Sequence, residues 1–379
     1  MKNIIISLNV LIVFCFSCSN QNTKNSNKKV LIVVTSNDQL ADGSPAGYYL
    51  PEVIDFYHVL NRFNIEATIA SPKGGMAPMY SRKFYLQNTR YQTQLLKTGL
   101  LELLDNTVKI KDIDPEDYDA IYFVGGFACL FDFPNNKKLA SIGADIYDNN
   151  GIVAAVCHGP SALLNIKLSN GEYLIANKTV TSRTIEEDTR GGEITKKTVL
   201  TQFPFLIEQA LIEKGAKYTK ANRGAPHFVV YERLVTGQGP SATKNVAISV
   251  VELINEMDIL SIQEFSKVIE EKGIQEALIQ YKDHKLSAKN AILISENEIN
   301  NLGYDLLSAD KLSEAIEVFK LNVNEFPESA NVYDSMGEAY LKSGNTDSAI
   351  INYEKSLKLN PDNINAKKII IDLKLNKAS

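Results

Sequence analysis

Apolar and polar positions fall into two regimes over the first two-thirds of the chain. Short, mainly apolar runs with β-branched residues alternate with longer stretches whose apolar residues recur three and four apart. Residues 30–35 (VLIVVT) and 119–124 belong to the first kind and predict buried strands of a parallel sheet, and 66–71 predicts a further strand between them in sequence. Residues 50–63 belong to the second, with Val53, Ile54, Tyr57 and Leu60 on one face, and predict a helix. Strand, helix and strand in that order make a right-handed parallel unit. Further helices are expected over 88–104, 138–147, 204–214 and 241–257, a strand over 178–182, and a hairpin from 228–231 and 234–236. The alternation predicts an α/β fold: a doubly wound, flavodoxin-like, mostly parallel sheet.

Residues 151–164 (GIVAAVCHGPSALL) break this rhythm most sharply. Their uncharged first half reads as a buried strand, Gly159 and Pro160 as a turn former and a helix-starting residue, and the remainder as a helix. Cys157 then sits at a helix N-terminus, where unpaired N–H groups and the helix dipole favour the thiolate. This is the layout of a nucleophile elbow. A free cysteine alone is more often a small core hydrophobe, the reading given to Cys129; the strand-turn-helix context sets Cys157 apart, with the expectation of a depressed thiol pKa. Gly125 and Gly126 close the strand at 119–124, so they and Cys157 fall at carboxyl ends of strands, where such sheets bind ligands.

The last hundred residues repeat. Gly303 and Gly337, Ala315 and Ala349, Phe319 and Tyr353, and Pro327 and Pro361 each stand 34 apart, the period and residue types of tetratricopeptide repeats. Two all-α repeats with a closing helix at 363–375 are expected over 296–379, joined by a helical linker (258–295) to a first domain at 29–257. A concave array of this kind suits a peptide or protein ligand, or serves as a stabilising or dimerising cap.

The N-terminus carries an address rather than structure. Lys2 precedes an apolar run at 4–16, shorter than the roughly 20 residues of a spanning helix. It ends at Phe16-Ser17-Cys18 and gives way to a polar tether at 19–28. The segment resembles a bacterial lipoprotein signal with Cys18 as the lipidated residue, although Cys15 stands where leucine is usual. That implies an extracytoplasmic protein held to the membrane by a lipid; a plain leader would make it secreted or periplasmic. Composition narrows the rest. With 44% hydrophobic residues, 379 residues allow two or three cored domains. A net charge of −5 without basic clusters gives nucleic-acid binding no electrostatic support. Cysteines 15, 18, 129 and 157 and histidines 58, 158, 227 and 284 are too dispersed to suggest a zinc site or a disulfide framework, so no metal is expected.

Taken together, Gly47-Tyr-Tyr-Leu-Pro-Glu-Val53, Asp117-Tyr-Asp-Ala-Ile-Tyr-Phe-Val-Gly-Gly126, Phe131-Asp-Phe-Pro134, Ala155-Val-Cys-His-Gly-Pro160, Pro226-His227 and Leu234-Val-Thr-Gly-Gln-Gly-Pro240 resemble the DJ-1/PfpI superfamily, whose fold is that of class I glutamine amidotransferases. Within it they are similar to the branch of heat-shock chaperones and cofactor-free glyoxalases (glyoxalase III). The resemblance implies Cys157 as nucleophile, His158 as its partner and Glu52 as the acid on the sulfur. It places the third carboxylate in 184–188, at Asp188 in preference to Glu187. Gly125, Gly126, Phe127 and Arg183 would line the oxyanion and substrate site. Phe127 stands where many relatives carry histidine, and Arg183 where an aromatic residue is common. The implied reaction converts a 2-oxoaldehyde such as methylglyoxal to a 2-hydroxy acid without a cofactor. Hydrolysis of amides or glycated adducts by the same residues is the alternative, and a chaperone with a redox-sensing cysteine is another; homodimerisation is left open. Physics supports the roles: burial beside a thiol would keep Glu52 protonated, whereas an acid just after Pro51 could instead cap its own helix.

Overall fold

The computed structural model describes residues 28–287 and 289–378, so the leader, Cys18 and nearly all of the tether lie outside the described residues. Seven strands form the main sheet in the order β3-β2-β1-β4-β5-β9-β8. These are β1 (Lys29–Val33), β2 (Glu66–Ser71), β3 (Val108–Lys109), β4 (Ala120–Phe123), β5 (Ile152–Val156), β8 (Phe228–Tyr231) and β9 (Leu234–Gly237). Every neighbouring pair is parallel except the β8–β9 hairpin at the edge. Side-chain alternation splits the interior into two cores. Val30, Ile32, Tyr122, Ala154 and Val156 face the helices Leu50–Arg62 and Thr243–Asn255. Leu31, Val33, Ile121, Phe123, Val153 and Ala155 face Lys137–Asp148 and Ile207–Glu213. Because both faces are covered, these strands read as continuous apolar runs.

Local deviations have local causes. The single helix expected over 88–104 is two, Thr89–Lys97 and Leu100–Asp105, broken where Gly99 takes a left-handed φ of 68°. The segment after the elbow is a seven-residue 3-10 helix, Gly159–Asn165, and not an α-helix. It lies so close to β4 that a Cβ on Gly159 would fall 2.2 Å from the Phe123 carbonyl oxygen. Of the strand expected over 178–182, only β6 (Thr179–Val180) forms, paired with β7 (Lys217–Tyr218) outside the main sheet.

The helical linker expected over 258–295 is corrected. The helices Ile262–Lys272 and Ile274–Leu286 lie between two strands, β10 (Asp258–Ser261) and β11 (Asn290–Leu293), which pair in parallel. The faces of this small sheet belong to different domains. Ile259, Ala291 and Leu293 join the core beneath Thr243–Asn255, whereas Leu260, Ile292 and Ile294 join the core of the helical array. Four-residue strands among helix-forming residues give too short a period-2 signal to read.

The array consists of Glu296–Ser308 with Leu312–Glu325, Ala330–Lys342 with Thr346–Leu359, and the closing helix Ile364–Ala378. The 34-residue period reflects a packing need. Within each pair a glycine on the first helix meets an aromatic ring on the second, Gly303 against Phe319 and Gly337 against Tyr353. An added Cβ would stand 2.5 Å from the first ring but 3.1 Å from the second. Gly303→Ala should therefore destabilise the array by about 1–3 kcal/mol, the usual cost of overpacking. Gly337→Ala should cost less. Thermal melts of both variants followed by circular dichroism check the order; an unchanged melt for Gly303→Ala would contradict it.

Candidate active site

Adjacent strands β4 and β5 bring the Gly125-Gly126 turn and Cys157 together at the carboxyl edge of the sheet. Cys157 has φ 60°, a conformation that costs a residue with a Cβ about 1–3 kcal/mol. The surrounding backbone holds it there: its N–H donates to Gly237 O at 2.9 Å, and its carbonyl accepts from Arg183 N–H at 2.8 Å. The elbow thus depends on β9 and on the chain leaving β6.

Glu52 reaches the elbow from the first turn of the helix Leu50–Arg62 and is fully buried. Rather than capping its own helix, its Oε2 accepts the Gly125 N–H at 2.8 Å. Its Oε1 has no hydrogen-bond partner among the described residues, and the carboxyl sits beside Cys157, close enough for each group to affect the other's ionisation. Gly125 makes this meeting feasible, because a Cβ there would lie 2.7 Å from both Glu52 Oε2 and Cys157 Cβ. Gly126, at φ 108°, is equally constrained: its Cβ would fall 2.4 Å from Gly47 O. Desolvation pushes the Glu52 carboxyl up to about 8, so it holds its proton at neutral pH.

On the other side of the sulfur, His158 Nδ1 lies 3.6 Å from Cys157 Sγ, and His158 Nε2 lies 3.1 Å from Asp188 Oδ1. The His158 and Asp188 side chains are each only 1% exposed. A carboxylate on Nε2 selects the tautomer protonated there, an assignment from the hydrogen-bond network that leaves the Nδ1 lone pair facing the thiol. The structure separates the two candidate carboxylates. Glu187 is turned away into a capping box: its Oε2 accepts from the Thr184 N–H and hydroxyl, and its Oε1 from Gly224 N–H. A place for Glu187 in the catalytic set is therefore withdrawn.

The expectation of a depressed Cys157 thiol also fails. Burial, and after it the negative charge of Glu52, push the thiol well above its ordinary value, and Arg183 offsets only part of this. Cys129 is a core residue, fully buried, with its thiol donating to Gly126 O.

Arg183 Nε sits 3.6 Å from Asp188 Oδ1. Phe127 packs on the His158 ring at 5.2 Å between centroids and stacks on Phe203 at 4.9 Å. The motifs gave no sign of several supports. Phe203 walls the imidazole from a distant segment. Glu208 accepts the Ile185 N–H at 2.6 Å, bracing the short helix that carries Asp188. Asp132 accepts from the Thr35 hydroxyl and the Ser36 N–H, tying the segment after Phe127 to the end of β1; burial lifts its carboxyl to about 6. Asp132 was legible as part of Phe131-Asp-Phe-Pro134, but its partner nearly a hundred residues away was not. Among the described residues, no group of three or more His, Cys, Asp or Glu is placed to hold a metal ion.

Comparison with known proteins places this geometry. The DJ-1/PfpI family profile matches residues 46–253, and a tetratricopeptide repeat profile matches 330–363. The chain is 31% identical to glyoxalase 3 of Candida albicans over 239 residues, 59% of this chain and 97% of that protein. It is 28% identical to the glutathione-independent glyoxalase HSP31 of Saccharomyces cerevisiae over 60% of this chain and 98% of the relative. Among solved structures it is similar to glyoxalase III from Candida albicans, with a TM-score of 0.53 at 29% identity, covering 60% of this chain and 98% of that one. The rapid encystment protein of Francisella tularensis gives a TM-score of 0.55 at 31% identity, with 60% and 99% covered.

The Glu52–Cys157 contact generates a test. Glu52→Gln removes the carboxylate charge that opposes thiolate formation, so above pH 8 alkylation of Cys157 by iodoacetamide should be faster in the variant than in the wild type. Cys129 should stay unlabelled in both while the protein remains folded. Mass-spectrometric labelling rates check this; slower labelling of Cys157 in the variant would show that Glu52 favours the thiolate instead.

Proposed function

The chain belongs to the DJ-1/PfpI family, and we propose that its first domain is a glyoxalase III-type enzyme that converts a 2-oxoaldehyde such as methylglyoxal to the corresponding 2-hydroxy acid without glutathione. One observation carries the reading. The Cys157 sulfur lies between a carboxyl that keeps its proton, Glu52, and an imidazole whose free lone pair is aimed at it by Asp188. An isomerisation that moves a proton between neighbouring carbons needs both a donor and an acceptor at one site.

The steps follow from that arrangement. His158 takes the thiol proton as Sγ bonds to the aldehyde carbon, and the carbonyl oxygen is protonated to give a hemithioacetal. A site base takes the C1 proton while the C2 carbonyl oxygen is protonated, giving an enediol; protonation at C2 with loss of the C1 hydroxyl proton then gives the thioester of the 2-hydroxy acid. Water attacks the thioester carbonyl, releasing the acid and restoring the thiol. The high resting pKa of Cys157 is compatible with this order, since the sulfur loses its proton only as it bonds to carbon. The N–H groups of Gly126 and His158, one on each of the two turns at the sheet edge, would stabilise the oxyanion. The repeat region adds a protein-binding architecture to this enzyme.

Cys157→Ala should abolish lactate formation from methylglyoxal, and Glu52→Gln should lower it about 10²–10⁴-fold, with both variants still folded by circular dichroism. Wild-type turnover should fall as pH rises through about 8, where Glu52 loses its proton and its charge raises the thiol further. Turnover by the wild type no faster than by Cys157→Ala would end this reading in favour of amide hydrolysis or redox sensing.

We further propose that residues 1–18 are a lipoprotein-type signal and that Cys18 anchors the protein outside the cytoplasm. The support is Lys2, the short apolar run and the Ser17-Cys18 junction. Cys18→Ala should move the protein from the membrane fraction to the soluble fraction. Unchanged sedimentation would refute the anchor.

A further inference from the structure

The closing helix Ile364–Ala378 is apolar on two opposite faces, and the array covers only one of them. Ala366 and Ile370 are buried in a cluster with Ala349 and Tyr353, and Ile369 and Leu373 pack at its margin. On the far side Ile364, Ile371 and Leu375 are 81%, 51% and 64% exposed. They stand seven and four residues apart, about two turns and one turn, so they form a single stripe along the helix. The end of a repeat array normally carries a polar outer face, which keeps the array soluble. Three large aliphatic side chains break that rule here.

The 34-residue register shows what such a stripe packs against. Ile364, Ile371 and Leu375 fall at the positions of Ala330, Gly337 and Leu341 in the preceding repeat, and Ile371 also matches Gly303 in the one before. In both repeats that glycine meets a ring from the repeat's own second helix, Phe319 or Tyr353. The stripe is therefore the surface on which a second helix lies. Isoleucine at 371 fills the notch that admits the ring, so a helix received there presents aliphatic side chains instead.

We infer that the closing helices of two copies of this chain pack antiparallel on these stripes, forming a homodimer about a two-fold axis. The stripe and the charges beside it are self-complementary, as a two-fold interface requires. Setting Ile364 of one copy opposite Leu375 of the other covers both ends of the stripe. The same alignment puts Lys368 of each copy opposite Ile371 of the other and within one residue's rise of its Asp372, on the same flank. Lys368 and Asp372 are both exposed, and among the described residues neither has an ion-pair partner in its own chain, whereas Lys374 on the other flank is engaged by Glu354. One helix face of this length buries less than the roughly 1,200 Å² of a stable complex, so the association is weak and concentration-dependent.

The test is carbodiimide cross-linking of a mixture of isotope-labelled and unlabelled full-length protein. Lys368 and Asp372 also lie about one turn apart within each helix, so only a mixed-isotope product reports a link between copies. At about 100 µM protein, a concentration suited to a weak interface, a mixed Lys368–Asp372 link is expected, and it should decline on dilution. Ile371→Glu and Leu375→Glu each put a carboxylate into the stripe and should remove the mixed link. Their circular-dichroism melts should match the wild type, because both side chains are exposed in the single chain. Absence of the mixed link in the wild type, or its persistence in either variant, would overturn the dimer. Binding of the wild type to phosphatidylglycerol vesicles that is lost in Ile371→Glu, without a mixed link, would overturn it too and assign the stripe to a membrane surface.

Discussion

The site depends on a gap the size of one methyl group. Position 125 has no side chain, so the Glu52 carboxyl and the Cys157 sulfur occupy one space at the edge of the sheet. Burial then does two things at once. It keeps the carboxyl protonated near neutrality, and it denies the thiol the water that would stabilise its anion. Ionising Glu52 in place is harder than in water by on the order of 5 kcal/mol, taking 1.36 kcal/mol for each pH unit. The site therefore holds its protons until a substrate offers somewhere to move them.

That arrangement is costly, and the fold supplies what holds it. Cys157 keeps a left-handed backbone because β9 and the segment after β6 bind it on both sides. Asp188 sits on a helix of only four residues, stabilised through the Glu187 capping box and the Glu208 contact to Ile185. Each of these carboxylates is buried, and each has a donor that accounts for its burial. Acidic residues around the site thus divide into one that keeps a proton, one that orients an imidazole, and others that hold backbone in place. The sequence stretch Glu186-Glu187-Asp188 looks uniform; the partners make it diverse.

The second domain is joined to the first through shared packing. The two faces of the β10–β11 sheet lie in different cores, so the ends of the enzyme domain and of the repeat array meet in one pair of strands. A rearrangement of the array would be felt at the helix Thr243–Asn255, which packs against the helix bearing Glu52. The elbow, Glu52 and the Asp188 helix nevertheless all belong to the α/β domain.

Sequence alone determined the features that rest on local periodicity or on one residue's chemistry. The buried strands, the Cys157 turn and the 34-residue register of Gly303, Gly337, Phe319 and Tyr353 were legible because two-sided burial, a sharp turn and helix contact each leave a short-range pattern. The tertiary structure decided whatever depends on a partner far along the chain. It gave Asp188 and Glu187 their different partners, which lie in where His158 and Thr184 stand and not in which carboxylates are present. It made the post-elbow segment a 3-10 helix, and it buried the Cys157 thiol beside Glu52, which raises the thiol pKa that the turn alone suggested would fall. It turned a supposed linker into a shared sheet. The reason is common to all of these: desolvation, charge and close contact are set by neighbours in space, and sequence spacing records only those neighbours that lie within a few turns of the chain.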